Sequence, residues 1–400
     1  MLKKRILYIS LTGMTEPLGR SQVLEYLFDL SKENEYYLIS FERDSDLKNL
    51  DDIKELIKDY NITWEYFIYS NKYGIFSTIS QIFQVMLLGL RIVRKNKIDI
   101  IHARSFIPAT MGFIIKKFTN AKLLFDIRGF AIDEKIDTKR LNKNSFLAKT
   151  LKKLDNYLYQ KSDHVVTLTH KAKEILAKNL NIKKEKITVI PTCANDEIFK
   201  TMPIKEIQDF KLELNYDLES KIIIHTGTVS GWYDFDKEVQ VVKELMEKDS
   251  NINFLILNKN EQEFINNTIS KYKLSKEKIK IMSSDFNSMY KYLNIADYSI
   301  FFIKPSYSKE ASAPTKFAEN VICHLPSITN SNVGDMEYYI NEYNVGFLVD
   351  LNNINLDEIT SRILNKSKQQ FDKNNFENLF YTHFDKNMAV KKYQNIYESI

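Results

Sequence analysis

The sequence predicts an α/β protein of two doubly wound domains, and three observations carry that prediction. The chain has 400 residues, room for two separate cores at about 100–200 residues per domain. Near-continuous apolar runs such as Arg5–Ser10 and Lys221–Thr226 read as parallel strands covered on both faces. Between such runs the apolar residues recur at helical spacing, so strand and helix alternate through both halves. A hydrophobic share of 44% and a charged share of 27% suit a folded enzyme and argue against disorder. The net charge of +5 is spread along the chain without a dense Lys/Arg block, which argues against a nucleic-acid partner. Anionic lipid headgroups and phosphorylated substrates stay open as partners. Cys193 and Cys323 form no Cys-x-x-Cys pattern, and nothing after Met1 reads as a signal peptide, so the expectation is a cytoplasmic protein.

In chain order, the first strand leads into LTGMTEPLGR, where Gly13, Pro17 and Gly19 mark an irregular loop and Ser21 can cap a helix carrying Leu24, Leu27, Phe28 and Leu30. Strand, glycine loop and helix is a phosphate-cradle layout, although Gly13 and Gly19 do not match G-x-G-x-x-G. Strands follow at 36–41 and 64–69 around a helix near 47–60. The helix over 79–93 is apolar on most sides and ends in Arg91, Arg94, Lys95 and Lys97. A buried crossover with a basic last turn is the preferred reading, and a membrane-surface element the alternative. Strands at 98–102 and 122–127 end in HARSF and DIRGF, which places Arg104 and Arg128 just beyond two strand ends. In a chain with nine arginines against 48 lysines, these two forks suit phosphate or carboxylate recognition. Asp126 with Arg128 also fits a structural ion pair, and Arg104 a pair with some acidic neighbour. Strands at 164–169 and 187–190 precede the Pro-broken segment PTCANDEIF, read as the interdomain link.

The second half restarts at Lys221–Thr226, followed by GTVSGWY, where Gly227 and Gly231 let backbone approach a ligand closely. Strands at 253–257, Ile279–Met282 and 298–303 come next. The last of these opens the segment KPSYSKEASAPTKFAENV, in which Ser312, Ala313 and Pro314 make a helix start with proline in the first turn. A helix beginning just past a strand end offers free N–H groups and a positive dipole end to a diphosphate. Lys316 adds a full charge there, and Glu319, a turn further in, can accept hydrogen bonds from a ribose. The same residues also fit an ordinary capped helix with Glu319 on a solvated face. A strand at Gly346–Val349 and packing helices over 376–400 complete the chain. The domains expected are 1–195, 196–375, and a tail 376–400 that packs back toward the first. Asp44-Ser-Asp46 and Asp234-Phe-Asp236 are Asp-x-Asp triplets, a pattern that can hold Mn²⁺ or Mg²⁺ on nucleotide sugars, but both sit at helix starts and are read as first-turn carboxylates, and no histidine cluster suggests a metal.

SAPTKFAENVICHLPSI resembles the donor segment of the retaining family-four, or group 1, sugar transferases of GT-B fold. GMTEPLGRSQVLEYL, IIHARSFIPA, FDIRGF and VIPTCANDEIF resemble segments of a branch associated with surface polysaccharide assembly. The resemblance implies two Rossmann-like α/β domains facing each other across a cleft. It implies transfer from a nucleoside diphosphate sugar to a saccharide or polyprenyl-linked saccharide acceptor, with no cofactor; the lack of a credible ligand cluster makes metal independence the expectation. It places Glu319 on the ribose, Lys316 with Ser312 and Thr315 at the diphosphate, Gly227 and Thr228 beside the phosphates, and Arg128 at the transferred sugar. Gly19, Arg20 and Arg104 fall on the acceptor side. Two departures stand out: position 311 is alanine where the family's paired acidic motif has its first glutamate, with Glu310 adjacent, and the loop from Thr228 to Asp234 lacks the family's Arg and Lys. Either Lys304 and Lys316 supply the missing charge, or the donor is held otherwise. The rival readings are a GT-B epimerase or hydrolase using water, and a non-catalytic nucleotide-binding partner subunit with a degenerate site. Localisation is expected to be cytoplasmic, with peripheral association at the inner face of the cell membrane as an option.

Overall fold

Seven parallel strands form the first sheet: β1 (Arg5–Ser10), β2 (Glu35–Glu42), β3 (Ile62–Ile68), β4 (Ile100–Arg104), β5 (Lys122–Asp126), β6 (His164–Thr167) and β7 (Ile187–Val189). Their order is β3-β2-β1-β4-β5-β6-β7. Six more form the second: β8 (Lys221–Thr226), β9 (Ile252–Leu257), β10 (Ile279–Met282), β11 (Tyr298–Ile300), β12 (Ser327–Asn330) and β13 (Gly346–Val349), ordered β10-β9-β8-β11-β12-β13. This computed structural model describes residues 3–400, apart from the side chain of Ile75. Ile6, Leu7 and Ile9 on β1 and Ile222, Ile223 and Ile224 on β8 are at most 2% exposed, as strands covered by helices on both faces must be.

The chain divides into two units, one of Met1–Pro191, Tyr307–Ser312 and Asn387–Ile400, the other of Thr192–Ser306 and Ala313–Lys386. In each sheet the chain winds outward from the first strand and then returns to that strand's other side, so strand order reverses between β1 and β4, and between β8 and β11. Loops leaving the carboxyl ends of those neighbours diverge and open a crevice.

Three expectations are corrected. Arg104 is the last residue of β4, in register with Ser10 and Asp126, rather than beyond the strand, because the ladder with both neighbours runs on to it. Pro314 precedes the helix Thr315–Ile322 as its N-cap with an extended ψ of 121°, since the chain turns helical only at Thr315. The run 298–303 leaves the ladder after Ile300, because the Asn330 side chain takes both backbone groups of Ile303, at 2.8 and 2.9 Å.

Candidate functional site

In the second unit the crevice is built from the β8 loop and the chain following β11. Gly227 and Gly231 have φ of +84° and +67°, conformations that disfavour a side chain, and both are exposed with open space where a Cβ would stand. The loop they bracket is fixed from beneath. Glu261 accepts hydrogen bonds from the Val229 N–H (3.0 Å), the Asn258 amide (2.9 Å) and the Ser230 hydroxyl, while Asn258 also donates to the Gly227 carbonyl at 3.0 Å. His225, fully buried on β8, has Nδ1 2.6 Å from Glu238 and Nε2 3.1 Å from the Thr228 carbonyl. Glu238 in turn accepts the Phe302 N–H at 2.9 Å, so one buried carboxylate ties the β8 loop to the chain just beyond β11.

Onto this frame the structure brings several of the expected donor residues. Lys316, only 8% exposed, holds Nζ 4.0 Å above the Tyr233 ring and 5.6 Å from that of Phe301, with no hydrogen-bond partner. Aromatic faces stabilise an ammonium by about 0.5–2 kcal/mol but give it no acceptor. Glu319 is half-buried one turn on, and burial pushes its carboxyl up from the usual 4.5 to about 7 against the opposing pull of Lys316. The exposed Lys304 donates to the Gly231 carbonyl at 3.0 Å, and Thr228 is exposed. Thr315 opens the helix, whose first N–H groups have no intrahelical acceptor. Ser312 instead closes the turn that groups with the first unit.

In the first unit the crevice holds a buried polar cluster. Asp126 ends β5, and the Tyr393 hydroxyl donates to it at 3.1 Å. His102 on β4 has Nε2 3.7 Å from Asp126 and Nδ1 2.7 Å from the Tyr397 hydroxyl. Arg128 lies 3.8 Å from Asp126. Burial alone would raise the Asp126 carboxyl, but Arg128 and His102 outweigh it and hold the group down at about 2. Arg128 is likewise held charged: burial opposes the charge, and Asp126 overcomes the penalty. Arg104 is 7% exposed and its Nε has no hydrogen-bond partner. The next residue, Ser105, has φ of +79°, a strained conformation for a side-chain-bearing residue at the switch point. In the β1 loop a Cβ on Gly19 would stand 1.9 Å from the Gly13 carbonyl oxygen, so this glycine serves close backbone packing. Glu42 anchors the loop, accepting from the Met14 N–H at 2.9 Å and the Thr15 hydroxyl at 2.6 Å. Arg20 is exposed at the start of the following helical turn.

Residues 32–198 match the family Glycosyltransferase Family 4, and residues 206–377 match Glycosyl transferases group 1. The two halves belong to these two glycosyltransferase families. A glycosyltransferase from Rickettsia africae superposes with a TM-score of 0.72 at 21% identity, covering 100% of this chain and 99% of the other. Anabaena Alr3699/HepE, solved with UDP and glucose, gives 0.70 at 13% identity over 99% of each chain. WaaG, a glycosyltransferase involved in lipopolysaccharide biosynthesis, gives 0.66 at 13% identity over 98% of this chain and 99% of its own. No curated protein sequence matches the chain. The fold is thus GT-B, with two Rossmann-like parallel-sheet domains.

The departure at position 311 of this glycosyltransferase has a structural counterpart. Ala311 is fully buried in the core of the first unit, where a glutamate side chain would lie among apolar groups. Its neighbours dock the turn Tyr307–Ala311: Lys309 pairs with Glu134 at 2.8 Å, Glu310 with Lys171 at 3.5 Å, and the Thr169 hydroxyl donates to the Glu310 carbonyl at 2.7 Å. Both Asp-x-Asp triplets stand at helix starts, with Asp236 paired to Lys271. Among the described residues, no three potential metal-ligating side chains gather. Sequence reasoning missed Glu42, His102, His225, Glu238, Glu261, Tyr233, Tyr393 and Tyr397. The legible signal was a histidine directly after an apolar run in β4 and in β8, because a buried imidazole needs partners.

Proposed function

We propose that this glycosyltransferase moves a sugar from a nucleoside diphosphate sugar to a saccharide or polyprenyl-linked saccharide acceptor in surface polysaccharide assembly, with retention of anomeric configuration. The observation that carries the reading is Lys316, a buried ammonium without an acceptor in the first turn of a helix at the second sheet's switch point. Cleaving the bond from the anomeric carbon to the diphosphate puts charge on the leaving group. A fixed cation beside free helix N–H groups, shielded from water, stabilises that charge better than solvent does. Thr315 shares the turn, Ser312 lies just upstream, and Gly227 and Thr228 meet the phosphates from the β8 loop. Lys304 adds a second cation on the Gly231 carbonyl, and Glu319 takes the ribose hydroxyls. Arg128 meets the transferred sugar, with Gly19, Arg20 and Arg104 on the acceptor side. These cations supply the charge for which other transferases use a metal, so the reaction runs without one, in the cytoplasm at the inner membrane face. The complexes of Alr3699/HepE with UDP-glucose support the donor class, and the role of WaaG supports the acceptor class.

A thermal-shift screen of nucleoside diphosphates and their sugars, followed by transfer assays with and without EDTA, tests the reading. One nucleotide at about 100 times its Kd should stabilise the fold by about 2.7 kcal/mol, and product should form only with acceptor, at a rate EDTA leaves unchanged. Free sugar released without acceptor would establish the epimerase or hydrolase reading instead. Binding without turnover would establish a nucleotide-binding partner subunit, the reading that Ala311 favours.

A further inference from the structure

From Tyr66 to Ile98 the sequence has five cations, Lys72, Arg91, Arg94, Lys95 and Lys97, and no carboxylate. All five are exposed. Within this stretch the helix Ile75–Asn96 is long and apolar enough to cross a bilayer, yet only 33% of its most apolar window is buried. One face carries Gln81, Val85, Ile92 and Val93 into the protein, and a Cβ on Gly89 would stand 2.5 Å from Ile115, so the helix is locked against its neighbour. It cannot leave that face to span a membrane without opening the core. The opposite face is another matter. Phe76, Ile79, Phe83 and Leu87 follow one another along the outer side, each between 53% and 72% exposed, and Arg91 and Arg94 continue the same line. Tyr73, 67% exposed, stands just ahead of the helix. The expectation of a buried crossover therefore holds for one face only.

We propose that this outer face binds a membrane surface carrying anionic lipid, lying in the plane of the interface with Tyr73, Phe76, Ile79, Phe83 and Leu87 in the acyl boundary and the arginines on headgroup phosphates. Charge selects this occupant. A row of apolar side chains with a cationic end and no carboxylate complements a negatively charged, fluid surface. A second copy of the chain would bring the same cations with nothing on this face to pair them. Ser80 and Gln84 interrupt the apolar line, so insertion is shallow and needs the charge. The inference rests on the membrane-side part of the proposed function and not on sugar transfer.

The test is sedimentation of the full chain with vesicles of phosphatidylcholine alone, or with about one-third phosphatidylglycerol, at low salt and at about 0.5 M salt. Two paired variants on solvent-facing positions, Phe83→Ser with Leu87→Ser and Arg91→Glu with Arg94→Glu, are compared after circular dichroism confirms their fold. Binding is expected to the anionic vesicles, weaker by at least about tenfold in each variant, on neutral lipid and in high salt. Phe83→Trp should show a blue-shifted emission on adding anionic vesicles. No vesicle binding by the unaltered chain, equal binding to both lipids, or binding that survives both variants overturns the proposal. So does a dimer by light scattering that the Phe83→Ser, Leu87→Ser variant dissociates, which would make the face a self-interface. No nucleotide sugar is present in these measurements, so failed transfer and failed vesicle binding are separate results.

Discussion

A buried ammonium and a carboxylate raised by burial sit one helical turn apart at Lys316 and Glu319, and they predict different binding signatures. Lys316→Ala should weaken a nucleoside diphosphate far more than the free nucleoside, because only the diphosphate carries the charge. Glu319→Gln should weaken both alike, by about 1–3 kcal/mol for a lost charge-assisted bond. Calorimetry on both variants reads the difference, at a pH above 8 because removing Lys316 raises the Glu319 carboxyl further. The same group gives a pH dependence. Its folded value of about 7 lies above the usual 4.5, so its contribution to stability is full below 4.5 and is lost as pH rises through about 7. Nucleoside affinity runs the opposite way, rising from about pH 6 to 8 as the accepting carboxylate ionises, and Glu319→Gln should flatten the profile. A flat profile in the unaltered protein would remove Glu319 from the ribose. In the first unit, Arg128→Lys keeps the charge beside Asp126 but loses the planar fork. Turnover should fall at least about tenfold, roughly 1.4 kcal/mol of barrier, with nucleotide affinity unchanged. Full turnover would leave Arg128 as the ion-pair partner of Asp126 alone.

At the scale of elements, the turn Tyr307–Ala311 and the β1 loop are held by packing that tolerates little change. Ala311→Glu would restore the family's residue type, yet it places a carboxylate among buried apolar groups. It should cost at least about 2 kcal/mol, roughly 4–8 °C in Tm for a domain of this size, as read by thermal unfolding. An unchanged Tm would mean the turn moves aside and presents the new carboxylate to solvent. The β1 loop shows how a sequence pattern can mislead. Gly13 and Gly19 follow a strand as phosphate-cradling glycines do, but here the close approach is of one glycine to the other, above the buried Glu42. The glycines of the β8 loop, by contrast, are exposed with positive φ, and sequence spacing alone could not separate the two cases.

Across the whole molecule, the chain enters the second unit at Thr192, gives the turn Tyr307–Ser312 to the first, and leaves the second unit finally at Asn387, so the helix Lys386–Ser399 closes the first unit's core from the far end of the sequence. Tyr393 and Tyr397 bring hydroxyls to Asp126 and His102. Truncation after Lys386 should therefore strip the cluster around Arg128 and expose the apolar face against which Ile396 and Tyr397 pack. The truncated protein should unfold the first unit at lower temperature, as hydrogen exchange at β4 and β5 would show, while nucleotide binding by the second unit persists. Protection of β4 and β5 that is indifferent to the truncation would make the helix an appendage.

The sequence by itself determined the alternation of strand and helix, most strand positions, the two-sheet architecture and the segments that carry Gly227, Lys316 and Glu319, because periodicity, turn residues and helix starts are local properties of the chain. Only the tertiary structure decided what those residues meet. Asp126 and Tyr393 stand 267 positions apart, Phe302 and Glu238 64, and Ala311 enters the core of a unit most of whose chain lies far before it. The bed of aromatic rings under Lys316, the burial that lifts Glu319 and the ion pair that fixes Arg128 all arise from such pairings. Burial and electrostatic environment belong to neighbours in space, and a linear pattern does not specify them.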